Sequence, residues 1–180
     1  GTPLRLAEET PPRRDRVVLV QEPPFQAVAG VASQKKEGEL ISGDTGTWFK
    51  REDGSLFLLL CDGMGSGLAA HRESSEAVRL LEEFLQAQVP PEEALRTLSG
   101  ALALRGEEAG GFTTIDLLQL DLFTGRGAVY KYGAAPTYFK KGNTVTRITG
   151  TALPAGLAPG DRSAPDVSRF HLEAGDCVLM

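Results

Sequence analysis

At 180 residues, with a formal charge of −5 and 41% hydrophobic residues, the chain is long enough for one domain with a substantial core and needs no disulfide staples. Its lysines and arginines are scattered rather than clustered, which argues against nucleic acid as a partner. Cys61 and Cys177 both fall in apolar runs and are expected as buried, reduced thiols of a reducing compartment, without the paired spacing a zinc site needs.

Residues 1–15 carry Pro3, Pro11 and Pro12 among charges and read as a linker or leader; order is expected from Arg16, making 16–180 the domain. The basic cluster Arg13-Arg14-Asp15-Arg16 reads as solvated chain. Strands are predicted at 17–20 and 26–32, separated by Pro23-Pro24, which cannot donate to a ladder. A polar loop, 34–38, leads to Gly43-Asp44-Thr45. Then 47–50, the turn Glu52-Asp53-Gly54 and the apolar run 56–60 form a predicted hairpin that delivers Asp44 and Asp62 to the same end of neighbouring strands.

From Leu68 the period changes. Ala77, Val78, Leu81, Phe84, Leu85 and Val89 recur at three- and four-residue steps between charged residues, predicting an amphipathic helix that ends before Pro90-Pro91. A second helix starts at Pro91, with Glu92 and Glu93 favourable at its amino end and Leu95, Leu98 and Leu102 on one face, and the glycine-flanked stretch 106–111 stops it. Two such helices can cover one face of a sheet. Strands follow at 113–123, 128–132, 137–140 and 145–148, then a loop, 150–165, and strand-like runs at 170–172 and 175–180. The last run stops mid-strand, so the chain reads as a fragment of a longer domain. No stretch is long and apolar enough for a spanning helix and no secretory signal opens the chain, which makes a cytoplasmic location the expectation.

Asp62-Gly63-Met64-Gly65-Ser66-Gly67 admits two readings. A carboxylate at the end of a buried strand, with glycines behind it, can hold a hard cation such as Mg²⁺ or Mn²⁺ through oxygens. Asp-Gly by itself is more often a tight turn without any ligand. Dinucleotide binding is refused, because the Gly-x-Gly-x-x-Gly spacing is absent and the position for its acidic residue falls inside the helix at Glu82 and Glu83.

Ile41-Ser42-Gly43-Asp44-Thr45, the run from Leu60 through Asp62 and Gly63 to Ser74, and the later Thr114-Ile115-Asp116-Leu117, Gly133-Ala134-Ala135-Pro136-Thr137, Leu153-Pro154-Ala155-Gly156 and Ala174-Gly175-Asp176 together resemble one family in order. It is that of the stage II sporulation protein E phosphatases, members of the type-2C (PPM) superfamily of metal-dependent serine/threonine phosphatases. The resemblance implies an α+β fold, an α-β-β-α sandwich of two mainly antiparallel sheets with flanking helices and two Mn²⁺ or Mg²⁺ ions at one end. It assigns Asp62 as the bridging ligand, Gly63 as the donor of a carbonyl, and Asp44 as a metal aspartate, these two aspartates being the catalytic candidates. Two cations sharing a carboxylate acidify water between them and neutralise phosphoryl charge, which suits a chain with no serine or cysteine catalytic arrangement.

The departures carry expectations too. Met64 stands where many eukaryotic relatives have a histidine proposed as general acid, so leaving-group protonation falls to water, with His71 as a less favoured nominee. Glu73 and Ser74 match family positions and are expected to support the helix rather than touch substrate. In the family, the strand matching 175–180 runs on into a Ser-Asp-Gly whose aspartate binds metal, and a later aspartate completes the second site. With Asp44, Asp62 and a carbonyl alone, the first ion is expected to bind loosely and the fragment to be inactive. By the same resemblance the substrate is the phosphoserine of a small regulatory protein, an anti-sigma factor antagonist, and the two helices form a regulatory switch. Homodimerisation and a membrane tether in a longer parent are compatible with the pattern. The rival reading is a catalytically silent module that binds a partner through its helical face.

Overall fold

Apolar side chains alternate between the two faces of the longest strands, and that alternation builds a core on each side of one sheet. The computed structural model describes residues 3–6, 17–105, 112–157 and 164–180. In chain order the elements are β1 (Leu4–Leu6), β2 (Leu19–Gln21), β3 (Asp44–Lys50), β4 (Ser55–Gly63), α1 (Gly67–Gln86), α2 (Pro91–Arg105), β5 (Thr113–Asp121), β6 (Arg126–Tyr132), β7 (Thr137–Lys141), β8 (Thr144–Ile148), β9 (Asp166–His171) and β10 (Cys177–Leu179).

The principal sheet has the order β3-β4-β5-β6-β9 and is antiparallel at every step. On one of its faces Phe57, Leu59, Cys61, Ile115 and Leu117 meet Leu81 and Leu85 of α1 and Leu95 and Leu98 of α2. On the other face Leu56, Leu118, Leu120 and Val129 pack with Phe139 and Val178 from a three-stranded sheet of order β10-β7-β8. Each fully buried leucine in these cores contributes about 1.5–3 kcal/mol over an exposed one. The result is the α+β sandwich of two mainly antiparallel sheets that the sequence predicts, with both helices on the outer face of the larger sheet.

The helices end where local chemistry dictates. Pro91 opens α2 with Glu92 and Glu93 in its first turn, and α1 gives way at Gln88, whose φ of 63° reverses the chain toward the two prolines. Among the described residues no helix is long and apolar enough to cross a membrane.

Three expectations need correction. Residues 26–32 form no strand: the segment turns Ala27 inward, but after Phe25 donates its amide to Leu122 nothing among the described residues pairs with it, so only the alternation survives. The first strand begins at Leu19 rather than Val17 and pairs with Leu4–Leu6, inside the stretch read as leader, whereas 7–16, including the basic cluster, lie outside the described residues. Cys177 is exposed rather than buried, because Val178 takes the inward position of the short β10 and its neighbours must point away. Cys61 is buried as expected, and burial followed by the nearby charge of Asp116 pushes its thiol up, leaving an inert side chain. The stop predicted at 106–111 also lies outside the described residues.

Candidate metal centre

The β3–β4 hairpin sets Asp44 directly opposite Asp62 in the ladder, at the end away from the Glu52-Asp53-Gly54 turn. Directly opposed residues hold their Cβ atoms about 4.5–5.5 Å apart, so backbone pairing alone brings the two carboxylates together. Asp62 shares the strand face of Leu56, and Asp44 follows it by register, which turns both away from the helices. Asp62 and Gly63 belong to β4 itself. The reversal comes after them, at Met64 to Ser66, with Gly65 and Gly67 at φ 92° and 70°, so the tight-turn reading of Asp-Gly does not describe this chain. Gly63 must be glycine for another reason, since a Cβ there would run into the Ala70 backbone of α1.

Burial, then the hydrogen bond and charge of Asp44, push the Asp62 carboxyl up to about 6. Among the described residues neither aspartate forms an ion pair. Two like-charged oxygen donors held side by side, without a resident cationic partner, suit a hard divalent ion that relieves their repulsion. Among the described residues no third carboxylate, histidine or cysteine joins these two in a metal-binding group.

A carboxyl raised in the folded chain holds its proton more tightly there than in the unfolded one. Stability from this group is therefore full below the ordinary aspartate value and is lost as pH rises through about 6. Asp62→Asn is expected to raise the melting temperature of the metal-free chain at neutral pH, and the difference should close below about pH 4. Thermal melts in chelator across that range would expose a pH-independent difference, which the repulsion does not allow.

Both aspartates line one surface cavity with Lys35, Lys36, Glu39 and Ser66. Ser66 Oγ donates to Glu39 Oε1 at 2.6 Å. This carboxylate, just after the polar loop, lies at the amino end of α1, which has no acidic residue in its first turn and no side-chain cap from Ser66. Nothing in the sequence of the loop marked these residues, because a solvated turn and a cavity wall have the same composition.

His71 uses its Nδ1–H on the Ser42 carbonyl at 3.1 Å and, among the described residues, bonds neither aspartate. Glu73, expected to support the helix, reaches the turn before it: burial pushes its carboxyl up, while a hydrogen bond from the Met64 backbone opposes that shift. Ser74, expected only to support the helix, reaches across to the Gly43 carbonyl at 2.6 Å. The signal for this was present, since Ser74 falls on the buried stripe of α1 between Ala70 and Ala77.

Comparison with known proteins places the chain by family and fold. A profile of the family described as stage II sporulation protein E (SpoIIE) matches residues 52–180. The stage II sporulation protein E of Priestia megaterium is 33% identical over 151 residues, covering 84% of this chain and 25% of the relative. This chain thus spans about a quarter of that curated relative's length. Among solved structures, the PP2C phosphatase domain of SpoIIE from Bacillus subtilis, with a fragment of its regulatory domain, superposes with a TM-score of 0.80 at 27% identity, over 96% of this chain and 51% of that one. RsbX in complex with magnesium superposes with a TM-score of 0.65 at 18% identity, over 81% of this chain and 68% of that one, a likeness of fold.

Proposed function

This chain belongs to the stage II sporulation protein E family, and on that premise we propose that it carries part of the metal-binding site of a serine phosphatase acting on a small phosphoprotein. The observation that supports this most directly is the register pairing of Asp44 with Asp62, two carboxylates that the backbone forces together. In this reading both bind Mn²⁺ or Mg²⁺, with the Gly63 carbonyl as a further oxygen ligand. A divalent ion bound there supplies charge neutralisation for phosphoryl oxygens and acidifies water for attack at phosphorus. The magnesium complex of RsbX, a neighbour in fold, agrees with the choice of ion.

The chain's own residues do the rest. Asp44 and Asp62 would hold the ion at the cavity, and Lys35 and Lys36 lend that cavity a positive wall for an anionic substrate. No side chain is required as a nucleophile. The family points to the phosphoserine of an anti-sigma factor antagonist as substrate, and to a protein working in the cytoplasm, tethered or free.

The test is phosphate release from a phosphoserine regulatory protein by the intact polypeptide. Release should rise with added Mn²⁺ or Mg²⁺ and disappear on chelation; release indifferent to chelation would remove the reading. A polypeptide that takes up no Mn²⁺ in calorimetry and releases no phosphate would instead be a regulatory module that binds its partner through the same fold.

A further inference from the structure

The ladder pairs Asp44 with Asp62, but α1 holds the Asp44 end from the opposite side of the sheet. Ser74 Oγ, completely buried, donates to the Gly43 carbonyl at 2.6 Å, with the His71 carbonyl a second acceptor at 3.1 Å. A serine hydroxyl has one proton, so with that proton committed to a carbonyl, the 2.7 Å contact between Ser74 Oγ and Thr45 Oγ1 must be donated by Thr45. Ser75 Oγ stands 3.1 Å from Thr45 Oγ1, and His71 Nδ1–H reaches the Ser42 carbonyl at 3.1 Å. Ser42 in turn accepts the Asp44 amide and donates to Asp44 Oδ2, both at 3.2 Å.

Residues 42, 43 and 45 are thus each bonded to α1, while the side chain between them points the other way. Thr45 pairs with Cys61 on the helix-facing side of the sheet; Asp44 pairs with Asp62 on the far side. The Gly43 carbonyl is the node of the seam, because it also accepts the Gly63 amide, at 3.4 Å, and so ties the backbones bearing both aspartates. That bond is long, and without Ser74 it would be the Gly43 carbonyl's sole protein partner among the described residues.

We propose that Ser74 is a positioning residue for the metal centre: acting with Thr45, it fixes the backbone on both sides of Asp44 so that its carboxylate meets Asp62 in a geometry ready for a cation. The role rests on the reading of Asp44 and Asp62 as metal ligands. Groups that orient ligands from behind typically carry about 10–100-fold in metal affinity, and a ligand at a strand end, free on its cavity side, depends on such support.

Mn²⁺ binding to the chain, followed by loss of the electron paramagnetic resonance signal of the free ion, tests this without any activity. Ser74→Ala should weaken binding about tenfold, and Thr45→Val, which keeps shape and removes the donor, should weaken it measurably but by less. Ser99→Ala is the control for mere loss of a buried hydroxyl: Ser99 sits on α2, accepts the Gly156 amide at 3.1 Å and has no part in the seam. It should lower the melting temperature and leave Mn²⁺ affinity unchanged. Wild-type affinity in Ser74→Ala and Thr45→Val, with binding lost in Asp62→Asn, overturns the positioning role while the metal reading stands. Equal weakening by Ser99→Ala also overturns it. If the unaltered chain binds no Mn²⁺, both readings fall. Should Ser74→Ala not fold, Thr45→Val decides alone.

Discussion

Lys131→Met is expected to destabilise the chain by about 3–5 kcal/mol, the cost of leaving a charge buried without its partner. Lys131 and Asp116 are opposed across β5 and β6, their side chains only 2% and 6% exposed, with Lys131 Nζ 2.6 Å from Asp116 Oδ2. Asp116 Oδ2 also accepts Thr137 Oγ1 at 3.0 Å, and Lys131 Nζ donates onward to the Ala135 carbonyl at 2.7 Å. Asp116 Oδ1 is buried with no protein partner among the described residues, and burial pushes this carboxyl up against the pull of Lys131 and Thr137. The pair therefore clamps the crossing at 133–136, where the chain leaves the five-stranded sheet for β7. Urea denaturation should show the loss, and the double variant Asp116→Leu with Lys131→Met should recover most of it, because removing both charges removes the desolvation penalty as well. A single-variant loss below about 1 kcal/mol would mean that the pair is solvated and does not clamp the sheets.

Asp62→Asn should cost the intact polypeptide about a thousandfold in Mn²⁺-dependent phosphate release, equivalent to about 4 kcal/mol of transition-state stabilisation. The same change is expected to make the metal-free fold more stable at neutral pH, since it removes the repulsion from Asp44. Activity and stability should therefore move in opposite directions, which general damage to the fold does not produce. Undiminished release by Asp62→Asn would remove Asp62 from the metal centre whatever its effect on melting.

The elements that dominate the molecule were legible because each is long and strictly periodic. The hairpin ending at Asp62 and the amphipathic stripe from Ala70 to Leu85 follow from side-chain spacing with no knowledge of what they pack against. Short or one-sided pieces were not. Residues 26–32 alternate like a strand, but whether such a segment acquires a ladder depends on a neighbour from elsewhere in the chain, and among the described residues none arrives. The apolar run around Cys177 could not reveal which of its alternating faces would point inward.

Residue order by itself determined the family, the antiparallel α+β plan and the meeting of Asp44 with Asp62, because a hairpin with a short turn leaves its strands one register. Tertiary structure alone decided that Ser74 bonds Gly43, that Glu39 lies at the amino end of α1, and that Lys131 and Asp116 share one buried pocket with Thr137. Those contacts join residues 15 to 31 positions apart. A hydrogen bond places no periodic mark on a sequence: a serine facing a carbonyl and a serine facing solvent are written with the same letter, and packing chooses between them.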